Sequence, residues 1–263
     1  MTNSDHTFII PAYKDSVFIE ECIISLKKQT IPSKILITTS TPSLFLFDIA
    51  KRNNIEILTN EDGNSIVKDW NFAYKSCGTK YLTLAHQDDI YLPYYTELCL
   101  ANAEKPDNRD NLIVFTNYYE FKVDRPKKIS LILSVKRILL WIFLFKNNIH
   151  NNFLKRSILA IGNPIACPSV MFNVNNIGSF EFSEEYNYNM DWDAWLRLAK
   201  KEGKFIYLKE KLMVHRLHSE SQTSIQIRNN NRLAEEEKIL KSIWNKPIAK
   251  LLMRIYKYSS ALN

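Results

Sequence analysis

The first hundred residues alternate short apolar runs with amphipathic stretches, and few folds accept that alternation. Thr7-Phe8-Ile9-Ile10 reads as a strand ending at Pro11, and Phe18, Ile19, Cys22, Ile23 and Leu26 then recur at helical spacing. Asp15 or Ser16 is placed to cap that helix. The cycle repeats with a strand over 35–38, a helix over 43–53, a strand over 55–58, a helix over 65–76 and a strand over 81–85. Short connections between strands and helices predict a parallel sheet wrapped by helices, with ligands beyond the carboxyl ends of the strands. With 263 residues and 46% hydrophobic residues, the chain can fill one large core.

Composition narrows the chemistry. The formal net charge of +7 suits an anionic partner such as a nucleotide-linked substrate or an anionic membrane. The basic residues are spread out and form no recognised nucleic-acid motif, so nucleic acid is not an expected partner. The chain has only five glycines, and neither GxGxxG nor GxxxxGK[ST] occurs, which disfavours a dinucleotide oxidoreductase or a P-loop enzyme. Cys22, Cys77, Cys99 and Cys167 show no metal-type spacing and read as buried thiols in a reducing compartment. The N-terminus, MTNSDHTFIIPAY, has no basic region followed by an apolar stretch, so no signal peptide is expected and a cytoplasmic location follows.

Later segments read in the same way. Strands are predicted over 112–115 and 170–172, then as a pair over 205–208 and 212–214. A helix is predicted over 194–201, led by Asn187-Tyr188-Asn189-Met190-Asp191-Trp192-Asp193, and two more helices form the tail from Asn231. Residues 129–146 are apolar apart from Ser130, Ser134, Lys136, Arg137 and Lys146. Charges near the middle argue against a membrane span, and two readings stay open: a helix lying in the membrane interface, or a packed core or dimer helix. The chain divides into an α/β half (1–117), a basic and amphipathic insertion (118–150), a second half (151–228) and a helical tail (229–263).

Three clusters fall at expected strand ends or helix starts: Asp88 with Asp89, Asp191 with Asp193, and His215 with His218. Singly, each has an ordinary reading as a solvated turn, a helix cap or a satisfied histidine. Jointly, they supply what sugar transfer from a nucleoside diphosphate needs. That reaction calls for carboxylates to hold a hard divalent cation on the pyrophosphate, a second carboxylate to take a proton, and a late His or Arg at the metal or phosphates.

In order and spacing, these motifs resemble those of the family 2 glycosyltransferases of the GT-A fold over roughly residues 6–225, most nearly the bacterial enzymes that build surface polysaccharides. Pro11-Ala12-Tyr13 is similar to the strand end that lines the family's nucleotide pocket, and Gly63, Lys68 and Asn71 to its glycine-to-Asn segment. His86-Gln87-Asp88-Asp89 resembles the Asp-x-Asp-Asp metal motif, with His86 in the place of the first acid. Ser40 ends the second strand where the family often carries an acid that reads the nucleobase. Met190-Asp191-Trp192-Asp193 resembles the Glu-Asp motif of the acceptor-side helix, and Arg216-x-His218 the late Arg-x-His signature.

The resemblance implies an inverting transferase with a GT-A sheet and a Mn²⁺ or Mg²⁺ cofactor. Asp191 would be the base and Asp88, Asp89 and His218 the metal ligands. Pro11, Ala12, Tyr13, Ser40, Gly63, Lys68, Asn71, His86, Gln87 and Arg216 would line the donor, with Trp192 and Asp193 on the acceptor side. The implied partners are a nucleoside diphosphate sugar and a glycan or lipid-linked glycan acceptor, met at the inner face of the cytoplasmic membrane. Two other readings remain: a sugar nucleotidyltransferase and a non-catalytic nucleotide-sugar-binding module.

Overall fold

The structure is a computed structural model and describes residues 5–122, 138–217 and 231–261. The strands are β1 (His6–Ala12), β2 (Lys34–Thr39), β3 (Glu56–Thr59), β4 (Tyr81–Leu84), β5 (Ile90–Tyr91), β6 (Asn111–Lys122), β7 (Asn148–Ile149), β8 (Val170–Asn173) and β9 (Lys204–Leu217). Among the described residues they form one sheet in the order β3-β2-β1-β4-β8-β6-β9-β5, with β7 pairing β9. β8 is antiparallel to both β4 and β6, so those two run the same way as β1, β2, β3 and β9. The carboxyl ends of these six strands therefore share one edge. β8 enters the sheet from that edge.

Side-chain alternation on the strands builds a core on each face. Phe8 and Ile10 face one core and Ile9 the other; Val114 opposes Ile113 and Phe115 in the same way. The first face is covered by α1 (Ile19–Lys27), α2 (Leu44–Asn53) and α4 (Tyr95–Ala103). The second carries α3 (Ile66–Lys75), α7 (Met190–Leu198), α8 (Asn231–Ile243) and the start of α9 (Lys246–Ala261). Two short helices, α5 (Asn152–Ser157) and α6 (Val174–Ile177), complete the chain. Ser43 and Ser65 cap α2 and α3, accepting from the backbone N–H of Leu46 and Lys68.

Three expectations change. First, Pro11 does not end β1, and its position lies in register with Thr38 of β2. Ile9 faces β4, its carbonyl accepting from Ala85 N at 2.8 Å. Pro11, two residues on, faces the same way where β4 pairing has stopped, so the missing N–H removes no ladder bond. Second, the strand pair at 205–214 is one continuous strand. No Gly or Pro interrupts residues 204–217, and β6 runs parallel to it throughout, with register shifts around Asn117. Third, α1 starts without a side-chain cap, and Asp15 instead accepts from Ser43 Oγ at 2.6 Å.

Of the 129–146 segment, residues 129–137 lie outside the described part of the chain. In the remainder, Leu140 and Phe143 are buried, and Phe143 packs edge-on against Phe115 at 5.5 Å. Ile138, Trp141 and Phe145 are exposed. Among the described residues, no helix is long and apolar enough to cross a membrane.

Candidate active site

β4 delivers the chain to the carboxyl edge, where His86–Asp89 close a turn through Asp89 N to His86 O at 3.1 Å. Asp89 is fully buried and held from β9: its Oδ1 accepts from Arg216 N at 2.9 Å and lies 3.0 Å from His215 Nδ1. These contacts fix Asp89 behind the half-buried Asp88. The His86 ring packs on Trp70 with centroids 5.0 Å apart, and its Nε2 is buried with no hydrogen-bond partner among the described residues. Burial lowers the pKa of His86 despite the opposing charges of Asp89 and Asp88, which keeps the ring neutral at neutral pH. One ligand atom from each of His86, Asp88 and Asp89 lies within 4.8 Å of the others. This mixed nitrogen and oxygen set, with an orphaned ring nitrogen, fits a divalent cation. His218 lies outside the described residues.

The residues expected at the donor divide into two groups. Pro11 and Ala12 are the last two residues of β1 at this edge, and Tyr13, just beyond it, is exposed. Lys68 sits half-buried in the first turn of α3 and has no carboxylate partner among the described residues. The others are engaged in structure. Gln87 clips the Tyr13 backbone, with Oε1 accepting from Tyr13 N at 3.2 Å and Nε2 donating to Tyr13 O at 3.1 Å. Asn71 clips Phe182 in the same two-way fashion at 2.7 and 3.0 Å. An amide side chain complements a peptide group in both donor and acceptor, so these two expected donor contacts become backbone clamps.

Ser40 donates to Asp69 Oδ2 at 2.7 Å, and Asn60 Nδ2 donates to Asp69 Oδ1 at 2.9 Å. Gly63 packs into this knot; a Cβ there would lie 2.3 Å from Ser40 Cβ. Its lack of a side chain is thus accounted for by packing. Arg216 turns its guanidinium to α1, pairing with Glu21 at 2.6 Å and covering the Phe18 ring at 4.3 Å.

Of the residues expected near the acceptor, Asp191 lies in the first turn of α7. Asn163 Nδ2 donates to its Oδ2 at 2.8 Å, and Trp192 N donates to its Oδ1 at 2.8 Å. Trp192 is buried and its indole N–H donates to Leu159 O, so its ring packs in the core instead of facing an acceptor. Asp193 pairs with Arg197 one turn on at 2.7 Å. Sequence reasoning missed two supports. Asn163, ahead of Pro164, has no sequence signal that sets it apart from any other loop amide, and Glu235 of α8 accepts from the N–H groups of Asn187, Tyr188 and Asn189 at 2.8–2.9 Å, fixing the entry to α7.

The two acidic centres belong to one edge of the sheet. Cys167 precedes β8, whose start is at the carboxyl edge, and Asp191 adds to the effect of burial in raising the Cys167 thiol pKa. Tyr91, two residues after Asp89, donates to Pro168 O at 2.6 Å, and its own pKa is raised by burial, then by Tyr95 and Asp89. Tyr91, next but one to Asp89, is thus bonded to Pro168, and Asp191 is near enough to the neighbouring Cys167 for its charge to act on the thiol. A surface hollow lined by Asn102, Lys105, Asn108 and Asn148 lies at the opposite edge, where β6 and β9 begin.

The model of Glycosyl transferase family 2 matches residues 7–173, more than half of the chain. The fold is similar to that of mannosyltransferase PcManGT from Pyrobaculum calidifontis, solved with GDP-Man and Mn²⁺: TM-score 0.65, 12% identity, 98% of this chain and 70% of that one. It is also similar to S. aureus TarS 1-349 in complex with UDP-GlcNAc, with TM-score 0.57 and 15% identity over 90% of this chain and 71% of that one. Glucosyl-3-phosphoglycerate synthase from Mycobacterium tuberculosis, solved with Mn²⁺ and UDP, gives TM-score 0.55 and 10% identity over 87% and 77%. No relative was found among curated protein sequences. The chain belongs to glycosyl transferase family 2, and its helix-wrapped, mostly parallel sheet is a GT-A glycosyltransferase fold.

Proposed function

We propose that the protein is an inverting, metal-dependent transferase that moves one sugar from a nucleoside diphosphate donor to a hydroxyl of a glycan acceptor in surface polysaccharide synthesis. The observation that supports this reading is Asp191, a carboxylate in the first turn of α7 held by Asn163 and Trp192 N. Asp191 takes the proton of the acceptor hydroxyl, whose oxygen attacks the anomeric carbon as the bond to the diphosphate oxygen breaks. The nucleoside diphosphate leaves with the bonding electron pair, and the configuration at the anomeric carbon inverts. No covalent sugar-enzyme intermediate forms.

Asp88 and Asp89, with His218, would hold Mn²⁺ or Mg²⁺. A divalent ion there supplies charge neutralisation for the departing diphosphate. Lys68, in the first turn of α3, would add a further cation at the phosphates. Asp89, anchored by His215 and Arg216 N, keeps the loop in place before donor arrives, so little reorganisation is needed during the reaction.

The acceptor we infer is lipid-linked and met at the inner membrane face. Ile138, Trp141 and Phe145 are exposed beside Lys146. From Lys238 to the end, the chain carries Lys238, Lys241, Lys246, Lys250, Arg254 and Lys257 and no Asp or Glu. Basic segments gain about 1 kcal/mol per Lys or Arg at an anionic leaflet. The test of the donor reading is a thermal-shift screen of UDP- and GDP-sugars with Mn²⁺, followed by assay of nucleoside diphosphate release. A metal-dependent rise in melting temperature with release of the diphosphate is expected. Binding with no release under any acceptor mixture would favour a binding module, and pyrophosphate release from a nucleoside triphosphate plus sugar phosphate would favour a nucleotidyltransferase.

A further inference from the structure

We propose that His86 is itself a ligand of the divalent ion, giving the site a nitrogen donor beside its carboxylates and a preference for Mn²⁺ or Co²⁺ over Mg²⁺. The inference rests on the reading that the 86–89 turn holds an ion on the donor diphosphate. Three observations carry it. The Nε2 of His86 is a buried polar atom with no partner among the described residues. A buried ring nitrogen left unmatched is unfavourable, and a bound cation is one of the few partners that would satisfy it.

The cluster also has the right size. Its three ligand atoms lie within 4.8 Å of one another. Ligands about 2.0–2.2 Å from one ion are at most about 4.4 Å apart, so a small closure of the turn suffices. Finally, the residue is held in advance. Trp70 packs against the ring, and the His86 carbonyl accepts from both Asp89 N at 3.1 Å and Cys22 Sγ at 3.4 Å. Asp89, by contrast, already accepts from Arg216 N and is paired with His215. An imidazole in place of an oxygen ligand shifts a site away from Mg²⁺, which favours oxygen, towards transition-metal dications.

The test is pulsed electron paramagnetic resonance of Mn²⁺ on the full chain in the presence of UDP or GDP. Because His218 is also proposed as a ligand of the ion, the decisive comparison uses the His218→Gln background. ¹⁴N coupling to Mn²⁺ persists in His218→Gln and disappears when His86→Asp is added, while Mn²⁺ stays bound. Loss of all ¹⁴N coupling in His218→Gln alone, or its survival in the double variant, overturns the proposal. If Mn²⁺ fails to bind wild type with either nucleotide, the metal reading of the whole turn fails instead, and this inference with it. Should His86→Asp not fold, competition on wild type decides: Mg²⁺ is expected to displace Mn²⁺ only in excess of about tenfold, and displacement at parity overturns the preference.

Discussion

Gly63→Ala is the substitution whose cost can be worked most directly from the structure. The added methyl would sit 2.3 Å from Ser40 Cβ, 2.5 Å from Asp69 Oδ1 and 2.7 Å from Asn60 Nδ2. None of these is the free end of a flexible side chain. Ser40 Cβ is tied to the end of β2, and the Asp69 carboxylate is gripped by both Ser40 and Asn60. Overpacking of this kind costs about 1–3 kcal/mol. If Asp69 turns away to relieve it, a hydrogen bond to a charged group is lost as well, worth about 1.5–3 kcal/mol. The expected destabilisation is about 2–4 kcal/mol. At roughly 2–4 °C per kcal/mol for a chain of this size, the melting temperature falls by about 4–16 °C. Differential scanning calorimetry of the purified variant reads this directly. A melting temperature within a degree of wild type would refute the packing account of Gly63 and return the residue to a ligand-approach role.

Three more outcomes follow from the same contacts. Asn163→Ala removes a hydrogen bond that aims Asp191; turnover should fall about 10- to 100-fold with the donor KM unchanged, as expected for a bond to a charged group acting in the transition state. A raised donor KM at normal turnover would contradict it. His6, fully buried between Ser33 and Thr83, has its pKa lowered by burial to about 3. Between the unfolded value near 6.5 and about 3, the unfolded chain binds the extra proton, so stability contributed by the neutral ring is present above pH 6.5 and lost progressively on acidification. His6→Gln should flatten that limb of the stability–pH curve, and an identical limb would show that other groups set it. Trp141→Glu with Phe145→Glu should abolish co-sedimentation with anionic vesicles while leaving donor binding intact; wild type remaining in the supernatant would instead assign these side chains to a protein contact.

What the sequence made legible was local. Alternation in β1 and the serine caps of α2 and α3 follow from patterns a few residues long. The pairing of Asp88 with Asp89, and the place of Asp191 at the head of a helix, could be read in the same way. Long-range polar contacts could not. Asn71 meets Phe182 across 111 residues, and nothing in either neighbourhood distinguishes an amide that clamps backbone from one that meets a ligand. Glu235 looks like any acid on a charged helix until the fold sets it against the entry to α7. Lys209-Glu210-Lys211 interrupts the apolar pattern of β9 and so reads as a break between two strands; in the fold, residues 209–210 are exposed while the ladder with β6 continues. Trp192, put on the acceptor side by the family resemblance, is buried in the core, since it lies about 100° around the helix from Asp191.

The account stands or falls on a division of labour between two carboxylates. Isothermal titration of donor with Mn²⁺, paired with single-turnover rates, should be run on Asp191→Asn and Asp88→Asn. Asp191→Asn should bind donor as wild type does and lose turnover by orders of magnitude, whereas Asp88→Asn should lose metal-dependent donor binding. Near-normal turnover in Asp191→Asn, or unchanged metal-dependent binding in Asp88→Asn, would contradict the account.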